Sequence, residues 1–171
     1  MIVSFSRRKA YGLGALVCAG MLGFAYLAQY GFGLEPCPLC IFQRMVFFGL
    51  GVVFLIGTIQ NPGRTGARVY GVVLTLIALI GVGIAGRHVW IQHLPPDQVP
   101  ECGPGLDYML DVFPLSDVVR TVLTGSGECA EIVWEFLGLS MPAWTLVWYV
   151  LLAFWALYFS FRSDQRPPAR G

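Results

Sequence analysis

From Ala10 to Leu34 the chain carries no charged side chain. About 20 apolar residues suffice for a helix to cross a bilayer. Three further runs of this kind follow: Cys40 to Ile59, with Arg44 as its only charge, Val69 to Gly86, and Trp144 to Phe161. No soluble domain can bury four such runs. With 56% of residues hydrophobic and only 12% charged, the surface between them must face lipid. Asn61-Pro62-Gly63 is a turn signal between the second and third runs, and Met141-Pro142 leads into the fourth. Trp144, Trp148 and Tyr149 near one end of the fourth run, with Trp155 and Tyr158 towards the other, match two interfacial aromatic belts. A cleaved leader is the alternative for the first run, given the basic residues before it. A secreted protein would not need the three runs that follow, so the first is read as retained. The expected fold is an all-α four-helix membrane bundle. It forms one domain over 1–171, with spans near 10–29, 41–59, 69–87 and 144–161 and connections near 30–40 and 88–143.

Charge placement orients the bundle. Arg7, Arg8, Lys9, Arg64, Arg68, Arg162, Arg166 and Arg170 are eight of the eleven basic residues, and all fall on the side holding both termini. Nine of the ten acids, all but Asp164, fall on the other side. Cytoplasmic connections carry the excess of Lys and Arg, so both termini are expected in the cytoplasm. Cys37, Cys40, Cys102 and Cys129 then face outward, which in a bacterium is the oxidising side of the inner membrane. A net charge of +1 gives no reason to expect a nucleic-acid partner.

The connection from about 91 to 142 is too rich in pattern to be a mere link. It is turn-rich up to Gly105 and carries Cys102 between Glu101 and Gly103-Pro104, a setting that favours exposure and mobility. Leu115, Val118, Val119, Val122 and Leu123 then recur at helical spacing opposite Ser116, Asp117, Arg120 and Thr121. That predicts a helix too short to span and suited to lie flat in the interface. Gly125-Ser126-Gly127 ends it, and Cys129 opens a second short amphipathic stretch through Trp134 and Leu137.

Cys37 and Cys40 stand where a polar connection becomes the second run, between Pro36-Cys37-Pro38 and Arg44. Proline suits a helix start, which puts the Cys-x-x-Cys pair on an opening turn. Residues three apart share a helix face, and the free N–H groups and positive dipole end of that turn stabilise a thiolate. Arg44, four residues on, adds a fixed positive charge on the same face. Ile41 after the second cysteine excludes covalent haem attachment, which needs histidine there. Redox exchange ranks first for the pair. For Cys102 and Cys129 exchange also ranks first, ahead of a static bridge and a four-thiolate zinc site, which lacks its second Cys-x-x-Cys. No metal is therefore expected. Cys18, alone in an apolar run, reads as a small packed hydrophobe.

Together these features resemble the DsbB family of bacterial inner-membrane disulfide oxidoreductases. The resemblance covers nearly the whole chain and rests most on Pro36-Cys37-Pro38-Leu39-Cys40-Ile41-Phe42-Gln43-Arg44 and on the segment from Gly127-Glu128-Cys129 to Ser140-Met141-Pro142. It implies a quinone-dependent enzyme with redox-active pairs Cys37–Cys40 and Cys102–Cys129. Cys102 would be attacked by a reduced periplasmic DsbA-type thiol oxidase, with Cys129 as its loop partner. Electrons would pass to Cys37–Cys40, and Cys40 would contact ubiquinone or menaquinone held near Arg44 and His88. Relatives of vitamin K epoxide reductase combine the same ingredients around a different protein donor, and a non-enzymatic membrane scaffold is the remaining class.

Overall fold

The computed structural model describes residues 6–95, 97–99 and 106–162. Cys102 and its neighbours at 100–105 lie outside these residues, as do Arg166 and Arg170. Four long helices contain the four apolar runs: α1 (Arg7–Phe32), α2 (Pro38–Gln60), α3 (Arg64–Gln92) and α6 (Met141–Phe161). Each is long and apolar enough to cross a membrane. Between α3 and α6 come the short helices α4 (Leu106–Val112) and α5 (Leu115–Thr124), a 3-10 turn at Gly127–Cys129, and the strands β1 (Glu135–Phe136) and β2 (Leu139–Ser140).

Local chemistry sets the ends of these helices. Ser6 caps α1 by accepting from the Lys9 amide at 3.4 Å. Asn61 closes α2 in the left-handed conformation that asparagine tolerates, and Pro62 cannot continue the helix. Pro38 and Pro142 occupy the first turns of α2 and α6, where their missing N–H groups are not needed.

The most extensive helix pairings are α3 with α6 and α1 with α2, with α2 also packed on α3. Tyr149 of α6 is fully buried, and a Cβ on Gly81 would stand 2.6 Å from its ring, so glycine is what lets α3 approach. Tyr149 stacks on Phe47 of α2, with ring centroids 4.3 Å apart, and its hydroxyl donates to the Gln43 carbonyl at 2.6 Å. Large apolar side chains such as Leu16, Phe48, Leu76 and Phe154 point outward, the pattern of a surface solvated by lipid chains. At the end of the bundle near the termini, Arg7 donates to the carbonyls of Pro62 and Arg162, tying α1 to the α2–α3 turn and to the end of α6.

The segment before α6 differs from its sequence pattern in two ways. Helix α5 is present, but Val118 and Val122 are buried with Leu39, Ile91, Met109 and Cys129 at the cysteine-bearing end of the bundle. Part of its apolar face is therefore satisfied by protein, while Leu115 and Leu123 stay exposed. The stretch through Trp134 and Leu137 forms a two-residue hairpin, with Glu135 opposite Ser140 and Phe136 opposite Leu139. Leu137 and Gly138 both have positive φ, the backbone that a tight primed turn requires and that the amphipathic spacing conceals.

Candidate functional site

Cys37 is the N-cap of α2 in extended backbone, and Cys40 follows on the opening turn. The Cys37 thiol donates to the Cys40 sulfur at 3.1 Å. The two sulfurs face different surroundings. Cys37 is buried with Leu39, Ile84, Ile91 and Cys129, whereas Cys40 is half-buried and borders a cavity of about 250 Å³. That cavity lies between α1, α2, α6 and the hairpin. Its walls are largely apolar, with Met21 and Ala25 from α1, Phe47 from α2, and Trp134, Phe136 and Trp144 on the far side. The Trp144 indole donates to the Phe136 carbonyl at 3.0 Å, which holds the hairpin over the opening.

Arg44 borders the same cavity as Cys40. Its guanidinium donates to the Gln29 side-chain oxygen and, at 3.1 Å, to the Ala25 carbonyl, and it lies 5.3 Å from the centre of the Tyr26 ring. Three groups of α1 thus hold one cation in place on the cavity wall that Cys40 shares. The arrangement offers an apolar slot with a fixed hydrogen-bond donor and a cysteine sulfur on one wall. A flat, carbonyl-bearing apolar molecule fits that chemistry.

Cys129 reaches the other side of the dithiol. Arg87 of α3 donates to the Leu123 and Thr124 carbonyls at 3.3 and 3.0 Å, fixing the end of α5. The chain then turns at Gly125, whose φ of 89° favours glycine and where a Cβ would stand 2.3 Å from Ile91 Cδ1. This tight turn leads into Gly127–Cys129, leaving Cys129 only 1% exposed. The sulfurs of Cys37 and Cys129 and a ring nitrogen of His88 all lie within 4.8 Å of one another. The Cys37 sulfur beside it, then burial, push the Cys129 thiol well above the ordinary cysteine range, while Ser126 pulls weakly the other way. Two thiols and an imidazole are ligands for a soft metal, but Cys37 is already in contact with Cys40, so chelation would compete with exchange at that pair.

His88, expected from sequence beside Arg44 as a second quinone ligand, is not among the residues bordering the cavity. It is 2% exposed, with Nε2 at 3.7 Å from Cys37 Sγ and Nδ1 at 3.1 Å from Gln43 Nε2. Sequence reading passed over Gln43 and Thr145, which border the cavity and bond to each other at 2.6 Å across 102 residues. Their one visible signal is polarity inside an apolar run. Cys18 is fully buried between α1 and α2, as its surroundings suggested.

Comparison with known proteins gives a consistent result. Residues 7–159 match the family model described as disulfide bond formation protein DsbB. The disulfide bond formation protein B of Xanthomonas axonopodis pv. citri is 50% identical over 159 residues, covering 92% of each chain. That of Chromobacterium violaceum is 48% identical over 158 residues, covering 92% of this chain and 95% of its own. That of Methylococcus capsulatus is 49% identical over 152 residues, covering 89% and 93%.

Proposed function

This chain belongs to the DsbB family of membrane disulfide oxidoreductases, and from that premise we propose that it reoxidises a periplasmic DsbA-type thiol oxidase at the expense of membrane quinone. The DsbA–DsbB–quinone relay is the established means of keeping a bacterial periplasm oxidising. The observation that carries the assignment here is the two-sided dithiol. Cys40 and Arg44 share one apolar cavity, while Cys37 meets Cys129 behind it.

In this reading the protein sits in the inner membrane with both termini in the cytoplasm and its cysteines towards the periplasm. A thiolate of the reduced partner attacks Cys102 of a Cys102–Cys129 disulfide, forming a mixed disulfide and releasing Cys129 with the electron pair. Resolution within the partner frees Cys102 and completes the partner's own disulfide. The two electrons then pass to the Cys37–Cys40 pair by thiol–disulfide exchange, for which Cys129 already lies beside Cys37. Arg44 and Cys40 hold the quinone, ubiquinone or menaquinone, which takes up two electrons and two protons. In the net reaction one dithiol becomes a disulfide and one quinone becomes a quinol. Arg44 orients a carbonyl oxygen, and the aromatic wall of Trp134, Phe136 and Trp144 excludes water.

The test uses purified protein in detergent with a reduced DsbA-type protein and ubiquinone or menaquinone, without oxygen, read by quinone absorbance. The expected result is consumption that Cys40→Ser and Cys102→Ala each abolish. Consumption of neither quinone would overturn the assignment. Consumption that survives Cys102→Ala would overturn the donor route while leaving the quinone site.

A further inference from the structure

His88 is buried against the relay, and its surroundings contain a choice. Gln43 Nε2 faces His88 Nδ1 at 3.1 Å, and Gln43 Oε1 accepts from the Thr145 hydroxyl at 2.6 Å. An amide N–H can only donate, so Nδ1 is the bare nitrogen and the ring proton sits on Nε2, facing Cys37 Sγ at 3.7 Å. The Thr145 hydroxyl has one hydrogen but two acceptors in range, Gln43 Oε1 at 2.6 Å and the Pro142 carbonyl at 2.8 Å. When that hydrogen turns to Pro142, the hydroxyl oxygen is free to accept from Gln43 Nε2. The amide then presents Oε1 to His88, Nδ1 carries the proton, and Nε2 is bare. Both arrangements satisfy the Gln43 side chain and the Thr145 hydroxyl, and no heavy-atom contact changes beyond rotation of one amide.

We propose that Gln43 and Thr145 are positioning residues that set the tautomer of His88, and so decide whether its Nε2 meets the Cys37–Cys129 sulfurs as proton donor or proton acceptor. This rests on the relay reading above and deepens it. When Cys129 attacks Cys37 of a Cys37–Cys40 disulfide, the Cys129–Cys37 bond forms and Cys40 leaves as a thiolate with the electron pair. Once Cys129 has been protonated to the thiol, its proton needs an acceptor when it attacks, and bare Nε2 takes it. In the other tautomer Nε2–H donates to the Cys37 sulfur. Two sulfurs face the ring, Cys37 from the cap of α2 and Cys129 from the 3-10 turn, and Thr145 of α6 is linked to it through Gln43. Among the described residues no carboxylate belongs to this cluster. Arg44 is turned towards α1, and Arg87 towards the end of α5.

The chain supplies its own reference for the test. It has two histidines, and His93 places Nδ1 at 2.8 Å from the Val89 carbonyl, which only accepts. The tautomers of His93 and His88 are therefore opposite. Full-length protein carrying 15N-histidine, in detergent at about pH 8 where an ordinary imidazole is neutral, is read by the separate resonances of bare and protonated ring nitrogens. His93→Gln supplies the assignment. Wild type is expected to show His93 protonated at Nδ1 and His88 at Nε2. In Gln43→Glu, whose carboxylate only accepts, the His88 proton is expected to move fully to Nδ1. In Thr145→Val, which leaves the fold of α6 intact by shape, His88 is expected to show both tautomers. A His88 that keeps one tautomer in all three proteins overturns the proposal. The spectrum needs neither quinone nor protein partner, so its failure is separate from failure of the relay assay.

Discussion

Arg87 is the strap that keeps Cys129 beside Cys37, and its removal has a calculable effect. Its two hydrogen bonds to the last carbonyls of α5 measure 3.3 and 3.0 Å. A hydrogen bond nets about 0.5–1.5 kcal/mol, and a cation at a helix C-terminus adds about 0.3–1 kcal/mol. Both bonds are solvent-exposed, which keeps the total near the low end, about 1 kcal/mol, or about fivefold in an equilibrium constant. At 1% exposure Cys129 reacts with a water-soluble maleimide only when α5 and its turn open, so its labelling rate follows the open fraction. In reduced protein at fixed pH, with the Cys129 peptide read by mass spectrometry, Arg87→Met should label about fivefold faster than wild type. Arg87→Lys keeps a charge but not the fork, and should fall between them. An Arg87→Met protein that labels at the wild-type rate would show that the two carbonyl bonds do not hold α5 and would refute the reasoning.

Three further outcomes follow from the same geometry. Gly125→Val places a β-branched residue at φ 89° and into Ile91, a strain of about 1–3 kcal/mol before the clash, so Cys129 labelling should rise at least tenfold. Arg44→Met should raise the KM for quinone about tenfold or more through loss of a charged hydrogen bond, while disulfide exchange with a protein thiol persists; an unchanged KM would remove Arg44 from the acceptor site. The Cys129 thiol is raised in the folded protein, so the neutral form favours the docked turn. That stability should be intact below the ordinary thiol value of 9.0 and decline as pH rises above it. Limited proteolysis of the 113–135 segment against pH, with Cys129→Ala as the flat reference, measures it.

The membrane helices were legible because bilayer thickness imposes a length and an apolar content that few other structures demand. The opening of α2 was legible because Pro36, Pro38 and the cysteine spacing are local signals. The meeting of Cys129 with Cys37 was not, since it depends on Arg87 catching the end of α5 and on Gly125 turning against Ile91. His88 illustrates the same limit. The resemblance set it near the quinone, but in the structure its Nε2 faces Cys37 Sγ at 3.7 Å, and one helical residue spans about 100° of rotation about the axis. The hairpin at 135–140 was hidden by an amphipathic spacing that a two-residue strand pair also satisfies.

The separate outlooks of Cys37 and Cys40 bear on how the two proposed partners would share one small dithiol. In the proposed relay, a polypeptide from water and a lipid-soluble acceptor from the bilayer would meet different sulfurs, since Cys37 lies beside Cys129 and Cys40 borders the cavity under the hairpin. The 3.1 Å between the two sulfurs, and Gln43 between His88 and the cavity, are where the two sides join.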